Sequence, residues 1–301
     1  MHLRKDRTLY KIRAAPHCRL APQLLRQSSV RILISNDDGI YSPGLAALAQ
    51  VASEFGEVRV VAPDGERSST GHAVTHTRPL SYRESVIDGF EAYRVDGTPA
   101  DCVALGAHLW GDVDLVLSGV NIGLNLGNSM WHSGTLAAAK QATLLGLRGV
   151  ALSAPSSAAS DFTPYKFWMR KAIETILPLT ELRLLNINIP KDPKGLLWTK
   201  VSVRQYDGYI VPTKNPMGQD LYWFTVRPLQ APDEDSDRWA VERDWVSITP
   251  LKLDLTDETT LARVRASQPL DFVKAQIDAH VDPPHSVRAE EASAPIEHPP
   301  A

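Results

Sequence analysis

Two adjacent carboxylates, those of Asp37 and Asp38, follow an apolar run that begins at Val30. The run predicts a strand buried on both faces, and Ser42-Pro43-Gly44 opens a helical pattern behind the acidic turn. Ligands bind at such strand–turn–helix junctions in open α/β sheets. Because two carboxylates repel a bare phosphate, we predict that a cation lies between them and receives an anion. A helix N-cap is the alternative interpretation, but a cap needs only one acid.

Polar side chains that could complete a metal site follow two further apolar strands. Ser68 and Ser69 lie in a turn after the run 58–63, and Asn121 follows the run 114–119. Alternating strands and helices imply a parallel sheet, which brings these turns to the same edge. A serine hydroxyl and the Asn121 amide oxygen are therefore candidate metal ligands. For each of them, ordinary turn chemistry is the alternative.

A fourth polar loop contains Ser133 and Thr135, which stand at the start of the next predicted helix. Unpaired N–H groups at a helix N-terminus bind phosphate, so we favour a phosphate site over a plain Ser or Thr cap. The preceding loop has a glycine at every fourth position, a spacing that fits neither a dinucleotide fingerprint nor a Walker loop. Within it, the residue types of Asn125 and Asn128 favour turn positions.

The order of predicted elements gives an α/β core followed by a β-rich region. The alternation continues with a strand at 149–153, a helix over 160–178 and a strand at 184–188. Beyond Pro190 the sequence predicts strands at 197–203, 221–226 and 245–251, with little helix. Aromatic residues gather in this region and could pack against a second subunit or in an ordinary core. Four acids nearby predict a solvated loop: Asp233, Glu234, Asp235 and Asp237.

Composition excludes several classes of function. Of the 301 residues, 43% are hydrophobic and 22% are charged, which is typical of a soluble globular protein with one or two domains. The net charge of −3 gives no sign of a nucleic-acid partner, and no apolar run is long enough for a membrane span. Two cysteines fit a reducing compartment, so we expect a cytoplasmic protein.

The two ends of the chain differ from its centre. Residues 1–28 form a basic extension that we interpret as disordered, with a transit peptide or a start site assigned too far upstream as alternatives. Residues 282–301 are rich in proline and predict a disordered tail.

Taken in order, these stretches resemble the SurE family of stationary-phase survival nucleotidases over roughly residues 29–260. The matching stretches are Asn36-Asp37-Asp38-Gly39, 62–64 with Arg67-Ser68, 118–121 with Gly123 and Asn125, Ser133-Gly134-Thr135, 97–102 and 246–251. The resemblance implies a Rossmann-like catalytic domain at 29–190, with a mostly parallel sheet and helices on both faces. It also implies a β-rich C-terminal extension at 191–265 that is used in homodimers or tetramers.

The resemblance further implies a metal-dependent phosphatase that converts nucleoside monophosphates into nucleoside and phosphate. A 5′-nucleotidase is expected, with 3′-nucleotidase and polyphosphatase activities as possible additions. The family's metal ligands correspond to Asp37, Asp38, Ser68 and Asn121. Its phosphate site corresponds to Asn36, Asn125, Ser133, Gly134 and Thr135. His132 is a departure, since members often have tyrosine there.

The ligand chemistry predicts one Mg²⁺ or Mn²⁺ ion, because the expected donors are hard oxygens without a thiolate or a histidine. Either Asp37 or Asp38 would orient or deprotonate the attacking water, so both are candidate catalytic residues. A phosphatase with an aspartyl nucleophile is a rival, although such enzymes usually have two Asp separated by one residue. A nucleotide-binding regulatory module without chemistry is the rival from another class.

Overall fold

Strands and helices alternate along most of the chain in the computed structural model, which describes residues 29–155, 161–202, 206–228 and 232–268. The predictions for 1–28 and 282–301 lie outside the described residues. The strands are β1 Val30–Ser35, β2 Gly56–Pro63, β3 Tyr82–Ile87, β4 Phe90–Val95, β5 Leu115–Ile122, β6 Arg148–Ala154, β7 Leu184–Asn188, β8 Gly195–Trp198, β9 Tyr206–Lys214, β10 Asp220–Pro228 and β11 Trp245–Pro250. The α-helices are α1 Pro43–Ala52, α2 Pro99–Trp110, α3 Gly134–Leu144, α4 Lys166–Ile176, α5 Asp237–Val241 and α6 Glu258–Ser267.

Within the described residues, nine strands form one sheet in the order β3-β4-β2-β1-β5-β6-β7-β11-β8. Six neighbouring strands of this sheet are mutually parallel, namely β4, β2, β1, β5, β6 and β7. At its two ends, β3 runs antiparallel to β4 and β11 runs antiparallel to β7. The prediction of a mostly parallel α/β sheet is therefore confirmed. Because β1, β2 and β5 are parallel neighbours, their carboxyl ends meet at one edge, which positions the candidate site.

Apolar side chains of the sheet alternate between two buried layers. Ile32 and Ile34 of β1 pack in a cluster with residues of α1 and α4, whereas Leu33 packs in a second cluster with residues of α2 and α3. This alternation follows from the two-residue period of a strand. Helices therefore cover both faces, as the sequence predicted.

The chain after Pro190 contributes to two sheets. Strands β8 and β11 extend the large sheet, while β9 and β10 form a separate antiparallel pair. The sequence prediction missed β9, because Gly208 and Pro212 weaken a strand pattern. It also misplaced β8, because the predicted strand over 197–203 begins two residues after Gly195 and continues beyond Trp198, where β8 ends.

The prediction of a solvated loop at 233–237 is wrong for Asp237. This residue begins the short helix α5 and is fully buried. Its carboxylate is satisfied there by hydrogen bonds from the backbone N–H groups of Ser202 and Arg238.

The second compact unit of the chain begins at Lys252. Its described part contains α6, where the Asp257 side chain accepts a hydrogen bond from the Thr260 backbone N–H and caps the helix. None of the helices among the described residues combines the length and the hydropathy that a bilayer crossing requires.

Candidate metal and phosphate site

The acidic turn projects from the end of β1 at the carboxyl edge of the sheet. Asp37 is 4% exposed and Asp38 is half-buried. Gly39 closes the turn with a φ of 96°, a conformation that favours glycine. The Asn36 side chain is buried, and its Nδ2 donates to the Gly39 carbonyl at 3.1 Å. Asn36 therefore shapes the turn, and its buried Oδ1 has no partner among the described protein atoms.

Asp37 contacts the N-terminus of α3. Thr135 Oγ1 donates to Asp37 Oδ1 at 2.7 Å, and Ser133 Oγ caps the helix by accepting from the Leu136 N–H at 3.1 Å. Gly134 packs so closely that a Cβ there would lie 2.6 Å from Asp37 Cβ, so only glycine fits. Burial raises the pKa of Asp37, and the Thr135 hydroxyl partly offsets this rise. The structure thus brings the predicted metal turn and the predicted phosphate loop together.

Asp38 lies on the more open side of the same turn. Its Oδ2 accepts a long hydrogen bond of 3.3 Å from the Ile122 N–H. Burial, and then the charge of Asp37, raises the pKa of Asp38 to about 6. Two adjacent acids whose charged forms are both disfavoured make a site at which a divalent cation would be stabilising.

Ser68 is held near this turn by backbone hydrogen bonds between the two loops. The Arg67 N–H donates to the Asp37 carbonyl at 2.7 Å, and the Ile40 N–H donates to the Pro63 carbonyl at 2.9 Å. Ser68 is exposed, and its hydroxyl donates to Glu66 Oε1 at 2.7 Å. It lines a pocket of about 430 Å³ that Asp38 also lines.

Asn121 lies within β5, which extends three residues beyond the predicted end of that strand, from 119 to Ile122. Its Nδ2 donates to the Gly123 carbonyl at 2.7 Å, so the amide oxygen is the atom left for a cation. No group of three or more His, Cys, Asp or Glu side chains suits a metal among the residues that the structure describes. The predicted set instead combines two carboxylates with a hydroxyl and an amide, a hard-oxygen set that fits Mg²⁺ or Mn²⁺.

Asn125 lies behind Thr135 in a buried polar layer. Its backbone N–H donates to Asn188 Oδ1 at 2.8 Å, and its Nδ2 donates to Ser153 Oγ at 2.9 Å. Its carbonyl accepts from Asn186 Nδ2 at 2.7 Å. Sequence reasoning missed Asn186 and Asn188, although two asparagines inside a strand buried throughout are an unusual signal.

Asp237 is a third residue whose role sequence reasoning missed. Its Oδ2 accepts from the Gly127 N–H at 2.8 Å, and its Oδ1 accepts from the Ser202 N–H at 3.0 Å and the Arg238 N–H at 2.7 Å. The carboxylate thereby ties the loop after β5, which leads to Ser133, to the region beyond Pro190.

The parallel sheet and its acidic carboxyl edge define a Rossmann-like α/β protein whose candidate site combines carboxylates with a helix N-terminus. The chain belongs to the SurE family, because residues 32–208 match the family described as Survival protein SurE. The family resemblance deduced from the sequence is thereby confirmed.

Named relatives and a solved structure are similar over most of the chain. The 5'-nucleotidase SurE 1 of Thermus thermophilus is 47% identical over 236 residues, which cover 75% of this chain and 93% of that protein. The 5'-nucleotidase SurE of Deinococcus radiodurans is 40% identical over 249 residues, covering 79% and 93%. The crystal structure of SurE from Aquifex aeolicus superposes with a TM-score of 0.68 at 35% identity, covering 79% of this chain and 99% of that one.

Proposed function

We propose that this protein is a metal-dependent 5′-nucleotidase that hydrolyses nucleoside monophosphates to nucleoside and phosphate. The observation that carries the proposal is the contact between the Asp37–Asp38 turn and the first turn of α3, with Thr135 Oγ1 at 2.7 Å from Asp37 Oδ1. It joins a cation-binding arrangement to an anion-binding one. The relatives described as 5'-nucleotidases support the same activity.

Asp37, Asp38, Ser68 and Asn121 would hold one Mg²⁺ or Mn²⁺ ion. When bound, such an ion neutralises phosphate charge and lowers the pKa of a coordinated water. Asp37 is fixed by Thr135, whereas Asp38 is less buried and its side chain accepts a single long hydrogen bond from the part of the chain that the structure describes. We therefore assign to Asp38 the orientation and deprotonation of the attacking water, and to Asp37 the role of a fixed ligand.

The first turn of α3 would bind the phosphate through backbone N–H groups. The hydroxyls of Ser133 and Thr135 are already used, one as a helix cap and one on Asp37. Gly134 has no Cβ, which lets Asp37 pack directly against this turn. In this proposal Asn36 and Asn125 act indirectly. Asn36 shapes the acidic turn, and Asn125 supports Thr135.

The exposed aromatic residues of the β9–β10 pair support a homodimer or tetramer built through the region 191–265. Tyr222, Trp223 and Phe224 are all exposed in the single chain. By contrast, Trp239 stacks with Arg243 at 4.5 Å and Trp245 packs close to Gly195 in the same chain. The β9–β10 pair is therefore the part of this region that most needs a second copy.

The activity can be tested by measuring phosphate release from adenosine monophosphate. We expect turnover that exhaustive chelation with EDTA removes and that Mg²⁺ or Mn²⁺ restores. Binding without turnover would instead support a regulatory module, and a trapped phosphoenzyme would support an aspartyl nucleophile. The same assay with 3′-nucleotides and polyphosphate defines the range of substrates. A cytoplasmic location, without a nucleic-acid polymer or a membrane as partner, remains our prediction from composition.

A further inference from the structure

A second pocket adjoins the candidate site on the α1 side of the sheet. This groove has a volume of about 480 Å³, and its wall is shared with the metal pocket at Tyr41, Ser42 and Pro43. Ala46, Ala47 and Gln50 of α1 form its length. A volume of this size is in the range of small-molecule sites. A molecule anchored at Asp38 could therefore extend past Tyr41 into the groove.

Tyr41 stands at the junction of the two pockets with its side chain largely free. It is 66% exposed, although its neighbours Ile40 and Ser42 are buried. Single exposed aromatics are common on protein surfaces, so exposure alone carries no argument. Its position between an acidic turn and a groove is the informative feature, because an aromatic face is a platform on which a nucleobase stacks.

The groove combines apolar walls with a polar floor. Val86 and Phe162 contribute apolar surface to its lining. Gln50 is fixed in the floor because its Nε2 donates to Asp88 Oδ2 at 2.9 Å and its Oε1 accepts from Lys166 Nζ. A flat apolar ring with hydrogen-bonding edges, such as a nucleobase, suits this combination.

The opposite side of the candidate site is covered by the loop that follows Ser68. Hydrogen bonds hold this loop over α2 and α3. On the α3 side they join Gly71 N to His132 O at 3.0 Å and His72 Nε2 to Gln141 Oε1 at 2.9 Å. On the α2 side they join Thr98 Oγ1 to Ala73 O at 2.7 Å and Thr75 N to Asp101 Oδ1 at 2.9 Å. The α1 side is therefore the more open direction for a nucleoside.

We propose that the groove along α1 binds the nucleoside part of the substrate, with the base stacked on Tyr41 and the phosphate at the acidic turn. This inference rests on the proposed nucleotidase function and adds a base-binding subsite to it.

The test compares two substrates that differ only in the base, adenosine 5′-monophosphate and ribose 5-phosphate. Tyr41→Ala should raise the KM for the nucleotide by about tenfold, as expected for the loss of one stacked base, and leave the KM for ribose 5-phosphate unchanged. Tyr41→Phe keeps the ring and should behave as wild type. Ala46→Leu fills the groove from a helical position and should reproduce the selective loss without touching Tyr41.

Trp131→Ala is the matched control, since Trp131 is another exposed aromatic and lies on the α3 side. It should leave the KM for both substrates unchanged. Equal losses on both substrates in Tyr41→Ala, or a nucleotide-selective loss in Trp131→Ala alone, would overturn the subsite. Inactivity of the wild type on every phosphomonoester would instead refute the nucleotidase function, so the two failures are distinguishable.

Discussion

The acidic edge of the large sheet and the β9–β10 pair depart from ordinary burial in opposite directions. At the edge, polar groups are buried: Asp37 is 4% exposed and Asn125 is 9% exposed. In the pair, Trp223 and Phe224 are 67% and 71% exposed. Buried polar groups and exposed large apolar groups are the informative exceptions to the usual distribution. We therefore interpret each region as a binding surface, the edge for a cation and a phosphate and the β9–β10 pair for a second chain.

The two regions are also stabilised differently. Asp37 accepts hydrogen bonds from two other segments, at its side chain from Thr135, almost a hundred residues away in the chain, and at its carbonyl from the Arg67 N–H. Trp223 and Phe224 are adjacent in β10, so their side chains point to opposite faces of a two-stranded sheet. Both faces of that pair consequently present apolar surface. We therefore interpret the edge as a preformed site and the β9–β10 pair as a surface that a second chain would stabilise by covering it.

The largest effect should follow from Asp38→Asn at the buried edge. An amide weakens the hold on a cation and cannot accept the proton of water, so we expect a loss of kcat on the order of a thousandfold. The substitution relieves repulsion between the two acids, so thermal stability in EDTA should not fall. Asp112→Asn, which changes an exposed acid before β5, is the control. Near wild-type turnover of Asp38→Asn at saturating metal concentration would show that Asp38 is not part of the site.

A large stability effect should follow from Asp237→Ala. Three backbone N–H groups, those of Gly127, Ser202 and Arg238, would lose a charged acceptor in a buried position. We expect the free energy of unfolding to fall by about 3 kcal/mol, measured by urea denaturation. The control is Glu234→Ala, an exposed acid of the same segment. If both variants unfold at the same urea concentration, Asp237 does not stabilise the loop after β5.

The exposed β9–β10 pair is tested by Trp223→Ser. We expect the dissociation constant of the oligomer to rise by about thirtyfold, which corresponds to about 2 kcal/mol for a buried aromatic at an interface. Light scattering coupled to size-exclusion chromatography measures this change. Leu145→Ser alters an exposed apolar side chain just beyond α3 and should leave association unchanged. A wild type that stays monomeric at micromolar concentration would contradict the oligomer proposal.

The smallest effect is a pH dependence of the metal-free protein. The pKa of Asp38 rises from 3.8 to about 6 on folding, so its stabilising contribution is complete below pH 3.8 and is lost as the pH rises through 6. We expect a loss of about 1 kcal/mol between pH 4 and pH 7 in EDTA, relative to Asp38→Asn, because solvent around the half-buried carboxylate screens part of the effect. Urea denaturation at both pH values provides the measurement. Identical pH profiles for wild type and variant would show that the acidic edge carries no such penalty.

Much of the buried edge was predictable because its signals are local. The apolar runs of β1, β2 and β7 follow from residue order alone. The grouping of Asp37, Ser68 and Asn121 at one edge follows from the topology of parallel strands.

Other features depend on contacts that no local pattern contains. The burial of Asp237 arises from donors on Gly127 and Ser202, which are distant in sequence. The layer of Asn125, Asn186 and Asn188 likewise forms only when the loop after β5 folds over β7. Strand β9 escaped prediction because its glycine and proline oppose a strand that only pairing with β10 establishes.

The most direct test of the central claim is a calorimetric titration of the chelated protein with Mn²⁺, in the wild type and in Asp38→Asn. The proposed site predicts one Mn²⁺ per wild-type chain, strongly weakened binding in Asp38→Asn, and unchanged binding in the Asp112→Asn control. Equal Mn²⁺ binding by wild type and Asp38→Asn, or no binding to either, would contradict a metal site at the acidic edge of the sheet.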